Sequence, residues 1–251
     1  MPTQSIPFEG ANLYVEMDGN ADQSPLLLWP PGQSTLRVWD HLIPTLEKQF
    51  FVIRIDVRGY GQSSVSDLNE NQFTFEQYAR DAKYVLDLLG VRNTHVWSQS
   101  WGTRAAIWFC AKFPGFVNSA ALYAANLDLP DVNQQREGTR AAAEERRVAG
   151  IDTGLDRVGF NEHMNPEAAQ LTASALRKVL LSDVIDRLSM PVLIGTGSHD
   201  PNLRSSTEIA NRLRNATLRK FEMVGHNAIL EHPELALEAF LEFHQALTHS
   251  D

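Results

Sequence analysis

The stretch Thr94–Ala106 constrains this chain more than any other. It reads as a short apolar strand, an abrupt turn, and then a helix rich in Ala, Ile, Trp and Phe. The turn is Ser98-Gln99-Ser100-Trp101-Gly102. A serine at the centre of such a turn sits in strained backbone, pushed out above the strand end, with a helix N-terminus behind it. Small residues are needed two places before and after it, because strand and helix approach closely there. Glycine is usual at both flanks, and here the first is Ser98. By itself the pattern also fits an ordinary strand–helix turn, so its meaning depends on partners for Ser100 elsewhere.

Around this stretch, apolar runs alternate with helical spacing. Pro25–Trp29, Phe51–Ile55, Asn118–Tyr123, Pro191–Gly195 and Thr217–Met223 read as strands; the continuous apolar ones suit strands buried on both faces. Asn12–Asp18 alternates and is expected at a sheet edge, with Gly19–Asp22 as a turn. Trp39–Leu46, Thr74–Leu89, Ser205–Arg214 and Pro233–Leu247 have helical periodicity, with Gly90 stopping the second of these. Between 130 and 182 no buried-type strand appears. Gln134–Val148 is highly charged, and further helical patterns are expected around Leu155–His163 and Pro166–Leu181. Strands alternating with helices imply a mostly parallel sheet covered on both faces. Chemistry in such sheets sits at the carboxyl ends of the strands.

That rule directs the search for partners to strand-end loops, and two of them answer. Thr196-Gly197-Ser198-His199-Asp200-Pro201 follows one strand, and Val224-Gly225-His226-Asn227 follows another. A serine hydroxyl needs a base to take its proton, and imidazole titrates in the right range. A carboxylate behind the imidazole fixes its tautomer and stabilises the imidazolium. Ser100, Asp200 and His226 therefore form the candidate catalytic set, each just past an expected strand, in the order Ser…Asp…His. Rival residues read more plainly. Ser98 would point into packing, His199 lies on the acid's loop, and Asp128 would be a capping or surface carboxylate. His95, His163, His232, His244 and His249 read as surface or helix residues.

With these residues, the chain resembles the α/β-hydrolase superfamily over nearly its whole length. The resemblance is carried by Ser98–Gly102, by Asp56-x-Arg58-Gly59-x-Gly61-x-Ser63, by Pro191–Asp200, and by Gly225-His226-x-x-x-x-Glu231-x-Pro233-Glu234. Leu36–Ser64 is similar to the 3-oxoadipate enol-lactonase and small-esterase branch, and Trp101 after the serine is similar to prolyl iminopeptidases. The resemblance implies an α/β-hydrolase core from residues 1–129 and 183–251, with a helical cap from 130–182. It implies a serine hydrolase without a cofactor, acting on an ester or lactone of a small molecule. The family usually has His-Gly-x in the loop that donates N–H groups to the oxyanion. Here the loop is Pro30-Pro31-Gly32-Gln33, and proline has no N–H to give. Counting back from Trp39 puts Gly32 in the donor position, with Gln33 its alternative and Trp101 the second donor. Gln33 and Trp101 are also expected to touch substrate, with apolar cap residues as the remaining wall. An ordinary Pro-rich surface loop is the competing reading.

Composition narrows the partners. A net charge of −9 argues against nucleic acid. No apolar run approaches the roughly 20 residues a membrane helix needs, and Met1–Ser5 does not open like a signal peptide, so a soluble cytoplasmic protein is expected. The single cysteine, Cys110, sits in an apolar helix and reads as inert. No His/Cys/Asp/Glu spacing suggests a metal site. Asp56–Ser63 reads as a structural turn, not a phosphate loop. The arginines of Gln134–Val148 read as a solvated helix face; facing a pocket, they would favour an acidic substrate. Three other activities fit the same residues. A peptidase of the prolyl iminopeptidase kind would need a cap carboxylate such as Glu144 or Glu145. A non-hydrolytic relative (an oxygenase or C–C lyase) would lean on His226, and a ligand receptor would turn over slowly.

Overall fold

The computed structural model describes residues 3–151, 153–177 and 180–248. The expectations for His249 and for Met1 and Pro2 lie outside the described residues. Among the described residues nine strands form one sheet: β1 (Thr3–Phe8), β2 (Ala11–Asp18), β3 (Ser24–Trp29), β4 (Phe50–Ile55), β5 (Ser64–Val65), β6 (Thr94–Gln99), β7 (Val117–Tyr123), β8 (Val192–Gly197) and β9 (Ala216–Phe221). Their order is β1-β2-β4-β3-β6-β7-β8-β9, with β5 beside β2. From β4 through β9 every pairing is parallel; β1, β2 and β5 pair antiparallel. The helices are α1 (Ile43–Leu46), α2 (Phe75–Leu88), α3 (Trp101–Lys112), α4 (Val132–Ala149), α5 (Pro166–Ser174), α6 (Leu203–Arg212), α7 (Ala228–Glu231) and α8 (Pro233–Thr248).

The sheet is covered on both faces. On one side Trp29, Val96, Ala120 and Ile194 pack against α2, α3 and α6 through Tyr78, Val85, Phe109 and Ile209. On the other, Leu28, Trp97, Tyr123 and Leu193 pack against Trp39 and α8, with Phe240 stacked on Trp97 at 4.4 Å. Every residue of β6 is buried, which puts the strand leading to Ser100 at the centre of the sheet.

Four expectations need correction. Asn12–Asp18 is not at an edge, because β1 pairs outside it. Its acids Glu16 and Asp18 are buried and meet Arg54 of β4 at 3.0 and 2.8 Å, so the polar positions that suggested an exposed face are a buried ion cluster. Trp39–Leu46 is not one helix: a single 3-10 turn at Leu36–Trp39 precedes the short α1, with Pro44 in its first turn. Leu155–His163 is irregular. Gly159 and Asn161 have φ of 77° and 58°, and the local N–H groups donate to distant carbonyls: Leu155 to Leu230, Asn161 to Gln33, and Met164 to Gly61. Finally, the Pro166–Leu181 pattern is a shorter helix, α5, continued by 3-10 turns. Those long-range bonds lay the segment after α4 across the loops at the carboxyl ends of β3, β4 and β9. No helix among the described residues is long and apolar enough to cross a membrane.

Candidate active site

Ser100 closes β6 and caps α3 with φ 59° and ψ −120°, a conformation that side-chain-bearing residues rarely adopt. Its N–H donates to the Tyr123 carbonyl at 2.9 Å, so strand β7 holds the strained residue. The turn is tight because a Cβ on Gly102 would lie 2.3 Å from the Pro30 carbonyl oxygen. That close approach sets the 30–33 loop beside the serine. Ser98 is buried, its hydroxyl shared with Thr103 Oγ1 at 3.0 Å and the Ala121 carbonyl at 3.2 Å, which accounts for a small polar residue where glycine is usual.

The three candidate side chains come together. Ser100 Oγ lies 2.7 Å from His226 Nε2. His226 Nδ1 lies 3.1 Å from both Asp200 oxygens. Asp200 is 3% exposed and also accepts the Asn202 N–H at 3.0 Å. With its proton on Nδ1, facing the carboxylate, the imidazole presents Nε2 as acceptor for the serine hydroxyl. This arrangement can draw a proton from an alcohol and hold the resulting imidazolium beside a buried negative charge.

The rivals lie elsewhere. His199 faces Glu145 at 3.3 Å. Asp128 is exposed, and its backbone carbonyl accepts from Arg104. Two histidines differ from the surface-or-helix reading. His95 is buried on β6 against Ser119 Oγ at 2.8 Å, and burial pushes its imidazole down to about 4. His163 accepts the Gly61 N–H at 3.0 Å and stacks on Tyr60 at 5.0 Å, and burial lowers its pKa.

A cavity of about 830 Å³ opens over Ser100 and His226, walled by Tyr60, Phe160, Leu176 and Leu230 among others. Gly32, Gln33 and Trp101 all border it. Gly32 sits directly on Trp101, since a Cβ there would be 3.0 Å from the Trp101 Cβ. Gln33 has φ 59°, and its carbonyl accepts from Asn161. The Trp101 ring is largely core, 4% exposed and packed 5.4 Å from each of Tyr60, Phe75 and Tyr78.

The arginine face of α4 is not simply solvated. Arg136, Arg140 and Arg146 line the cavity, while Arg147 points out and pairs with Glu144 at 2.7 Å. Arg146 meets Glu231 at 3.7 Å, both buried. Glu231 also accepts the N–H groups of Gly225 and Asn227 at 2.7 and 2.8 Å and the Thr139 hydroxyl at 3.0 Å. One carboxylate thus grips the loop on both sides of His226 and ties it to α4. Sequence reasoning gave Glu231 no role; its spacing five residues after His226, on the short helix α7, was the available signal. Glu231→Ala should lower unfolding free energy by about 3 kcal/mol, because it strands Arg146 and two backbone donors in a buried setting. Chemical denaturation checks this; a change below about 1 kcal/mol would show the clamp to be dispensable.

Known proteins share the chain's sequence pattern and fold. A family model described as the alpha/beta hydrolase fold matches residues 25–151. The chain is 26% identical to 3-oxoadipate enol-lactonase 1 of Acinetobacter baylyi, covering 94% of each chain. It is 23% identical to a proline iminopeptidase of Lactobacillus helveticus, over 90% of this chain and 92% of that one. Among solved structures, a carboxylesterase study of Nitrososphaera gargenis gives a TM-score of 0.80 at 19% identity over the full length of both chains. The enol-lactonase from Burkholderia xenovorans gives 0.77 at 18% identity, covering 94% of this chain and 97% of that one. At those identities the structural likeness speaks for the fold. With half of the chain matched by the family model, this protein belongs to the alpha/beta hydrolase family.

Proposed function

We propose that this hydrolase-family protein is a serine hydrolase that cleaves an ester or lactone of a small molecule without a cofactor. The observation that carries the reading is the 2.7 Å contact between Ser100 Oγ and His226 Nε2, with Asp200 behind the ring and the cavity above it. In the first step Ser100 Oγ bonds to the carbonyl carbon while His226 Nε2 takes the hydroxyl proton. The carbonyl oxygen becomes an oxyanion facing the N–H groups of Gly32 and Trp101. Collapse breaks the carbon–oxygen bond to the leaving alkoxide, which receives the proton from His226. Water then attacks the acyl-enzyme, giving its proton to His226, and the second collapse returns that proton to Ser100 and frees the acid.

The peptidase reading finds less support. Glu144 pairs with Arg147, and Glu145 faces His199; neither lines the cavity where an amine would need a carboxylate. The test is labelling with a fluorophosphonate followed by peptide mass analysis, then a panel of chromogenic esters and lactones. Modification at Ser100 with turnover of at least one substrate class is expected. Absence of both labelling and turnover in folded protein would end the proposal.

A further inference from the structure

The molecule carries a net charge of −9, yet the cavity over Ser100 has the opposite sign. Arg104, Arg136, Arg140, Arg146 and Arg157 line it, and among the described residues Glu231 is the one acid that does. Two of these arginines are committed. Arg104 donates to the carbonyls of Asn126 and Asp128 at 2.9 and 2.8 Å. Arg146 is held by Glu231 and the Met223 carbonyl. Arg136 and Arg140 form no ion pair among the described residues, and Arg157 lies 4.8 Å over the Phe160 ring. The acids of α4 do not neutralise them: Glu144 and Glu145 are turned to Arg147 and His199, and Glu137 does not line the cavity.

Arg136 and Arg140 are one helical turn apart, so they rise from the same face of α4 as Thr139, which reaches toward the His226 loop. Like charges at that spacing repel. An anion between them relieves the repulsion, and a guanidinium pair offers the forked donors that a carboxylate accepts. The walls nearby are apolar, with Val132, Leu155 and Leu230, which suits a hydrocarbon segment between the anion and the reacting carbonyl.

We infer that the substrate carries a carboxylate remote from the scissile bond, and that Arg136 and Arg140, with Arg157 beside them, form its binding site. The inference builds on the ester-or-lactone reading, but the anion site can be measured apart from turnover. Wild-type protein and the Arg136→Gln/Arg140→Gln double variant would be compared on p-nitrophenyl hemiglutarate and on neutral p-nitrophenyl pentanoate. Wild type should favour the anionic ester in kcat/KM. The double variant should lower the anionic-to-neutral ratio by about tenfold or more, and added sodium chloride should lower it in wild type. Calorimetric titration with glutarate should show binding that the double variant loses, with phosphate binding more weakly. Both side chains are exposed, so the variant is expected to fold, which circular dichroism verifies. Turnover of both esters with an unchanged ratio would overturn the inference and leave the hydrolase standing. Glutarate binding lost in the variant, with no label at Ser100 and no ester or lactone of the panel cleaved, would support the anion site and sink the hydrolase. Phosphate bound as tightly as glutarate, with no preference between esters, would reduce the site to generic positive charge and overturn the carboxylate.

Discussion

Ser100→Ala is expected to lower ester turnover by about 10⁴–10⁶-fold while leaving the fold intact. The chemical part follows from the proposed mechanism: without Oγ there is no atom to form the acyl-enzyme, and only oriented water and the oxyanion donors remain. The structural part follows from what the side chain does not do. Ser100 occupies the N-cap of α3 but makes no side-chain capping bond, and the contact recorded for its hydroxyl is with His226. Its N–H bond to Tyr123 belongs to the backbone and survives the substitution. Alanine has the same Cβ as serine, so the φ of 59° is no harder to hold. Stability should therefore move by less than about 1 kcal/mol. Initial rates on a chromogenic ester, with a denaturation curve on the same preparation, test both halves. Undiminished turnover would remove Ser100 from the chemistry, and an unfolded variant would show that the hydroxyl has a structural bond the geometry does not reveal.

The sheet was legible in the sequence where its strands are buried on both faces. Pro25–Trp29 and Pro191–Gly195 are continuous apolar runs, and Phe51–Ile55 is one but for Arg54, because helices cover both sides. β1 was illegible because four of its six residues are exposed and nothing periodic marks it. Asn12–Asp18 misled for a different reason. Period-two alternation identifies polar positions but not whether a buried cation such as Arg54 receives them. The three candidate catalytic residues were legible because position after a strand is a topological property, and the parallel sheet brings all such positions to one edge. The wall of the cavity was not. Helical periodicity put Arg136, Arg140 and Arg146 on one helix, but what a face packs against depends on how the segment folds back. Leu155–His163 folds back through bonds to Leu230, Gln33 and Gly61, contacts with no local signature. The contacts of His163 and Glu231 are illegible for the same reason, since their partners Gly61 and Thr139 are 102 and 92 residues away.

Asp200→Asn is the second large effect, a fall in kcat of about 10³–10⁴-fold with a smaller change in KM. Asparagine keeps the shape, and its carbonyl can still accept the Asn202 N–H now held at 3.0 Å. Its amide, however, would then turn toward His226 as a donor. The imidazole Nδ1 must become an acceptor, and the proton moves to Nε2. There it faces Ser100 Oγ across 2.7 Å and can no longer accept the serine proton. The negative charge that would stabilise an imidazolium is lost in the same step. KM should move less because Asp200 is buried and does not line the cavity. Asp128→Asn separates this account from its rival. That carboxyl is exposed, and the residue's contact with Arg104 runs through its backbone carbonyl, so turnover should hardly change. Steady-state kinetics of the two variants decide the matter: a larger loss at 128 than at 200 would move the acid to the loop after β7, and near-normal turnover at 200 would leave His226 without the partner this mechanism requires.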